Sequence, residues 1–119
     1  MKTSHIVGNT SAPTQVAGTG AGTTPTVSLN GTDLSGTLSI TTGTTPTGSN
    51  AIITTLTFNV AYLAAPNIIL FPANAITATL SGVTSVYCTY TTTTFVLTSG
   101  TTALTASTAY KWFYHVIQN

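Results

Sequence analysis

Charge is what this sequence lacks most. Its 119 residues carry three formal charges, on Lys2, Lys111 and Asp33. Globular proteins ordinarily draw about a quarter of their residues from Asp, Glu, Lys and Arg. A net charge of +1 provides no electrostatic attraction to nucleic acid or to an anionic membrane, so neither is an expected partner.

Groups that titrate are equally scarce, which argues against catalysis. Acid–base and nucleophilic catalysis rely on His, Asp, Glu, Lys and Cys side chains. In this sequence His5, Asp33, Cys88 and His115 show neither the spacing of a metal site nor that of a known catalytic motif. We therefore expect a protein that is not an enzyme and that binds no metal and no cofactor. The alternative is a hydrolase that uses Asp33 and His115.

Disulfides and long apolar segments are also missing. Cys88 is alone, so an intrachain disulfide framework is excluded. The residues after Lys2 contain no apolar run of the kind found in signal peptides. The longest apolar stretch, residues 60–71, is broken by Pro66 and Asn67 and falls far short of the roughly 20 residues that span a bilayer. These absences predict a protein that is made and kept in a cytoplasm, or released by lysis.

Threonine is what the sequence has in excess, at 30 of 119 residues. Threonine, valine, isoleucine and aromatic residues favour strands, and here they alternate between turn-forming stretches. The pattern predicts an all-β fold, an antiparallel β-sandwich or jelly-roll-like domain over residues 26–119. Its expected strands lie at residues 26–29, 35–41, 51–60, 67–71, 85–91, 94–99 and 109–118, with a helical turn or a loop over 73–80.

The first 25 residues follow a different pattern. Gly18, Gly20 and Gly22 alternate with small residues, and Pro13 and Pro25 bracket them. Such a segment has no core of its own and stays extended or flexible until a neighbour orders it. We expect residues 1–25 to form an extended N-terminal arm. Its anchors on a neighbouring chain are expected to be His5, Ile6, Val7 and Val16.

The last predicted strand is apolar on both faces. Tyr110, Trp112 and Tyr114 fall on one face, while Phe113 and Ile117 fall on the other. Two apolar faces indicate a central strand or a strand that contacts another subunit, because aromatic residues are enriched at interfaces. The apolar run after Pro66, residues 67–71, also indicates either a buried strand or a contact with another subunit. The predicted oligomer interface comprises Ile68, Ile69, Phe71, Trp112, Phe113 and Tyr114.

Three stretches resemble a known family. They are AGTGAGTTPTVSLNGTDLSGTLSITTGTTPTG at residues 17–48, FPANA at 71–75 and TALTASTAYKWFYHVI at 102–117. Together they are similar to a threonine- and glycine-rich β domain of tailed-bacteriophage virion proteins, found at the ends of tail fibres and in small structural proteins. The resemblance implies a virion protein made in the host cytoplasm, an oligomer such as a homotrimer, and no catalytic residues.

Two roles are compatible with this resemblance. In one, the chain is a capsid decoration (cement) protein that binds the major capsid protein or another virion protein. In the other, it is a tail-fibre or appendage tip, where the hydroxyl-rich residues 41–50 and 91–94 contact host-surface glycans. No long shaft precedes the domain in this sequence, so we expect the decoration role.

Overall fold

The chain folds into two antiparallel sheets of four strands each. The computed structural model describes residues 8 and 10–118. In sheet 1 the strand order is β1-β4-β7-β6, and in sheet 2 it is β2-β3-β8-β5. The elements are β1 (Thr14–Ala17), β2 (Thr26–Gly31), β3 (Ser35–Thr41), β4 (Ile52–Thr57), β5 (Asn67–Pro72), α1 (Ala75–Ala78), β6 (Tyr87–Tyr90), β7 (Thr94–Thr98) and β8 (Ala109–Ile117).

The predicted all-β antiparallel sandwich is confirmed. Most strands alternate between inward apolar positions and more exposed outward positions, as a sheet with one buried face requires. The two sheets share one core, in which the rings of Phe95 on β7 and Tyr114 on β8 lie 5.4 Å apart between centroids. The other large buried apolar side chains of the core are Leu38, Ile40, Ile53, Leu56, Phe58, Leu97, Leu104, Tyr110, Trp112 and Val116.

The sandwich begins earlier than the sequence predicts. Thr14–Ala17 pairs with β4 as an edge strand of sheet 1, and Ala21 is fully buried in the core. Gly18 donates its backbone N–H to the carbonyl of Ile53 at 2.8 Å. A Cβ at Gly18 would lie 2.4 Å from the Ile52 carbonyl oxygen, so glycine here permits close packing rather than flexibility. The arm predicted over residues 1–25 is therefore too long.

Part of the predicted arm lies outside the described residues. His5, Ile6 and Val7 lie outside the described residues, so their predicted contacts stay a prediction. Val16, the fourth predicted anchor, is 66% exposed on the outer side of β1. It belongs to the sandwich and not to a separate segment.

An α-helical turn lies between residues 73 and 80, where the sequence leaves open a helical turn or a loop. Asn74 caps α1, because its side-chain oxygen accepts the backbone N–H of Thr77 at 3.0 Å. The Thr77 hydroxyl is itself buried and accepts the backbone N–H of Lys111 at 2.8 Å. This turn thereby ties the chain after β5 to the middle of sheet 2.

Candidate interaction surface

Four large apolar side chains lie next to one another on the outer face of sheet 2. We call this group, Ile69, Phe71, Phe113 and Ile117, the apolar patch. Phe71 and Phe113 are directly opposite each other on β5 and β8, and they are 66% and 52% exposed. His115 pairs with Ile69 in the next row. Exposed apolar residues that are contiguous, rather than scattered, mark interaction sites on soluble proteins.

The strand period separates the predicted interface residues into two groups. Phe113 points outward, but Trp112 and Tyr114 point into the core and are 4% and 2% exposed. Ile68 is half-buried against the same core, whereas Ile69 and Phe71 are exposed. The interface predicted from the sequence is therefore wrong for Trp112 and Tyr114. Successive side chains of one strand face opposite sides of the sheet, so only alternate residues can meet a partner.

The other half of this outer face consists of hydroxyl and amide side chains. We call Ser28, Asn30, Thr37 and Ser39, on β2 and β3, the hydroxyl half. Thr37 pairs with Phe113 on one side and with Asn30 on the other, so the hydroxyl half borders the apolar patch directly. Lys111, opposite Ser39, is the one charged side chain of the described residues that lies on this face. The face as a whole therefore selects partners by shape and burial and not by charge.

The only carboxylate side chain lies elsewhere, in the turn between β2 and β3. Asp33 is 5% exposed. Its Oδ1 accepts the backbone N–H of Asn59 at 2.9 Å and the Asn59 side-chain amide at 3.1 Å, and its Oδ2 accepts the backbone N–H of Val60 at 3.0 Å. His115, the other residue of the hydrolase hypothesis, stands exposed on the outer face of β8. The two residues thus occupy different surroundings.

Two tyrosines complete this end of the sandwich. The Tyr62 hydroxyl donates to the Asp33 carbonyl at 3.0 Å, and the Tyr114 hydroxyl donates to the Thr32 carbonyl. Burial, with a further contribution from the Asp33 carboxylate, raises the pKa of Tyr62 and that of Tyr114. Both hydroxyls therefore stay protonated and act as donors at neutral pH. A cleft of about 430 Å³ lies beside Tyr62, with Leu34 and Leu63 also in its wall.

The two hydroxyl-rich regions that the sequence assigns to glycan contacts lie at opposite ends of the sandwich. Residues 42–51 lead into β4 at its first residue, Ile52. Residues 91–93 precede β7, whose first residue, Thr94, pairs with the last residue of β4, Thr57. The length of β4 therefore separates these regions. They do not form one binding site.

A feature that the sequence reading missed lies at the first of these ends. The pentapeptide Gly-Thr-Thr-Pro-Thr occurs at residues 22–26 and again at 43–47, and the two copies pair antiparallel. Thr23 and Thr44 exchange backbone hydrogen bonds at 2.7 and 3.1 Å. Thr24 and Thr45 both have positive φ, at 54° and 51°, which is strained for a β-branched residue. A search for internal repeats could have found the duplication.

Other kinds of site are not apparent in the described part of the chain. Residues 8 and 10–118 contain no group of three potential metal ligands among His, Cys, Asp and Glu. Their helices are single turns, so none is long enough to cross a bilayer. No protein-family model matches the sequence. No curated protein and no solved structure matches it either.

Proposed function

We propose that this chain is a non-enzymatic structural protein of a tailed-bacteriophage virion, made in the host cytoplasm, and that it decorates the capsid as a cement protein. The observation that carries the proposal is the apolar patch, in which Phe71 and Phe113 are exposed side by side on a regular sheet. The resemblance of residues 17–117 to virion β domains supplies the setting. The partners are further copies of this chain and the major capsid protein or another virion protein.

The non-enzymatic part of the proposal is supported by the state of the titratable groups. The Asp33 carboxylate is occupied by three donors from Asn59 and Val60. Burial raises the pKa of the Cys88 thiol to about 11, so this thiol is a poor nucleophile at neutral pH. His115 has no acidic side chain opposite it, since its strand neighbours are Ser35 and Ile69. Nothing in this arrangement activates a nucleophile.

The size of the patch fits a protein that acts in many copies. Burying one large apolar side chain completely contributes about 1.5–3 kcal/mol, so four that are roughly half exposed contribute about 3–6 kcal/mol. Association costs on the order of 4–15 kcal/mol in lost rotational and translational freedom. A single patch therefore supports attachment only together with further contacts. Linked copies on a lattice provide such contacts at high effective concentration.

The copy number in particles tests the decoration role. Purified virions of the phage that encodes this chain are expected to contain it in amounts comparable to the major capsid protein, as measured by quantitative mass spectrometry. Isolated shells that lack the chain are expected to bind it. The double variant Phe71→Ser/Phe113→Ser is expected to bind them at least tenfold more weakly, because it removes the contact between copies and with it the high effective concentration of linked copies. Tyr87→Ser, on the outer face of sheet 1, is the matched control. Absence of the chain from particles would refute the proposal.

The second candidate is a tail-fibre or appendage tip that binds host glycans. It is favoured by one observation, the exposed hydroxyls of Thr23, Thr24, Thr44 and Thr45 where the two pentapeptides pair. A handful of copies per particle, together with binding to immobilised host polysaccharide that is lost in Thr24→Ala/Thr45→Ala, would favour this role over decoration. The same polysaccharide assay on Phe113→Ser is the control, because Phe113 lies on another surface.

A further inference from the structure

We infer that the outer face of sheet 2 binds the same face of a second copy of this chain, across a two-fold axis that runs perpendicular to the strands. The occupant of the apolar patch is therefore another molecule of the same protein. This inference adds to the proposed function the face and the symmetry by which two copies meet, and it depends on the surface of the chain alone and not on a virion.

The exposed area of the apolar patch determines how much of the face a partner must cover. A stable interface buries about 800 Å² on each partner. A phenylalanine side chain buries roughly 150–250 Å² when it is covered completely, and Phe71 and Phe113 are 66% and 52% exposed. These two rings and the two half-exposed isoleucines fall well short of a full interface. The partner must also cover the neighbouring hydroxyl half.

The division of the face into the apolar patch and the hydroxyl half determines which partner and which symmetry fit it. A two-fold axis parallel to the strands would place the apolar patch of one copy on the hydroxyl half of the other. An axis perpendicular to the strands instead places apolar on apolar and hydroxyl on hydroxyl. Hydroxyl groups of Thr37, Ser28 and Ser39 both donate and accept hydrogen bonds, so they can pair with the same residue type. A second copy thus matches both halves at once.

This pairing differs from the trimer that the family resemblance implies. In a two-fold interface each subunit contributes the same surface, whereas a closed ring of three joins two different surfaces of each subunit. A face that matches itself therefore produces a dimer. Two sheets packed in this way would lie about 10 Å apart, as the layers of a β-sandwich do.

Alternative ways to cover this region are less well supported. Addition of a strand in the plane of sheet 2 is limited at β5, because Pro66 precedes the strand, Pro72 is its last residue, and both lack an N–H. An acidic partner would find one cation on the face, Lys111, with uncharged Ser39 opposite it. Among the described residues, His115 is the remaining titratable side chain on the face. Thr37 and Phe71, on the same face, are uncharged and offer no attraction to an acidic partner.

Sedimentation velocity of the full chain over a range of micromolar concentrations tests the inference. The wild type is expected to have the mass of a dimer. Phe113→Ser is expected to raise the dimer dissociation constant about thirty-fold or more, as loss of a central aromatic does. Ser28→Glu, on the hydroxyl half, is also expected to weaken the dimer, while Tyr87→Ser on sheet 1 is not. Circular dichroism and thermal melting check that each variant is folded.

Three results would overturn the inference. One is a wild type that stays monomeric throughout the range, and another is a trimeric mass. The third is a dimer that Phe113→Ser weakens but Ser28→Glu leaves unchanged, because the hydroxyl half would then lie outside the interface. A virion copy number that contradicts the decoration role would leave these masses unaffected, so the two proposals fail separately.

Discussion

The outer faces of the two sheets are built from similar residue types but arranged differently. Sheet 1 also exposes apolar side chains, including Val16 on β1 and Tyr87 on β6. Thr55 and Val96 lie between these two strands, and Thr57 pairs with Thr94 in the adjoining row. On sheet 2, by contrast, Phe71 and Phe113 are paired directly. Contact between exposed apolar residues is therefore a better indicator of a docking surface than the number of such residues.

The contrast indicates how a nearly uncharged protein keeps its surfaces distinct. Threonine fits a strand through its branched Cβ and still presents a hydroxyl to water. On the outer face of sheet 1, threonines separate single apolar residues from one another. On the β5 and β8 half of sheet 2, exposed apolar residues are paired directly. Among the described residues only Asp33 and Lys111 carry side-chain charge, so charge repulsion cannot perform this separation.

The largest expected effect concerns the inner side of the strand that carries the patch. Trp112 is buried and lies against Tyr110 with 6.0 Å between ring centroids. Trp112→Ala is expected to lower the free energy of unfolding by about 3–5 kcal/mol because it leaves a cavity. Lys111→Ala, one residue away on the outer face, is expected to change it by less than about 0.5 kcal/mol. Denaturant unfolding measures both, and similar effects would contradict the assigned faces.

A smaller loss of stability is expected at Asp33, whose carboxylate joins the turn between β2 and β3 of sheet 2 to the residues that follow β4 of sheet 1. Asp33→Ala leaves the backbone N–H groups of Asn59 and Val60 without their acceptor, at a cost of about 2–3 kcal/mol. Asp33→Asn keeps one acceptor oxygen and is expected to cost less. Thermal melting of the three proteins checks this order. Equal stability of Asp33→Ala and the wild type would show that the carboxylate does not hold these loops.

A single substitution on sheet 1 is expected to remove the difference between the two outer faces. Thr55 pairs with Val16 on one side and with Val96 on the other. Thr55→Val would join them into one apolar row and is expected to make sheet 1 self-associate, with a change in stability below about 1 kcal/mol. Light scattering measures the association. Thr57→Val, whose neighbours are Thr14 and Thr94, is the control and is expected to leave the mass unchanged.

The smallest effect on stability at neutral pH is expected at Cys88, on the inner side of edge strand β6. Burial raises the pKa of its thiol from 9.0 to about 11. At pH 8 the folded protein then holds about a hundredfold less thiolate than the unfolded chain and is alkylated correspondingly more slowly. Because the pKa is higher in the folded state, stability is expected to fall as pH rises from about 9 to about 11.

Cys88→Ser provides the control for this pH dependence. The variant is expected to lack the part of the decline that the thiol causes, while Tyr62 and Tyr114 keep theirs. An alkylation rate in the folded protein equal to that of the denatured chain would show that the inner side of β6 is open to solvent.

Alternation along strands was the most reliable guide from sequence to structure. It placed β3 correctly at Ser35–Thr41 and β8 within one residue at its C-terminal end. It did not predict β1, because glycines before Pro25 read as flexible, although Gly18 and Gly20 are required by the close approach of the Ile52 backbone. Whether a glycine gives freedom or permits contact depends on the neighbouring chain, which a sequence does not show.

The candidate site was predictable in part. Ile69, Phe71 and Phe113 were expected at an interface and are exposed. Trp112 and Tyr114 were assigned with them because both faces of β8 are apolar, and only the position of sheet 1 decides which face is the core. The contact between the two Gly-Thr-Thr-Pro-Thr copies was equally out of reach, since it depends on the register of β2 and β3.

Hydroxyl-radical footprinting of the aromatic side chains tests the central claim most directly, because it compares both outer faces in one sample. Phe71 and Phe113 are expected to lose reactivity as the protein passes from dilute to concentrated solution, while the reactivity of Tyr87 is expected not to change. Constant reactivity of Phe71 and Phe113, or protection of Tyr87 in their place, would contradict the assignment of the apolar patch as the docking surface.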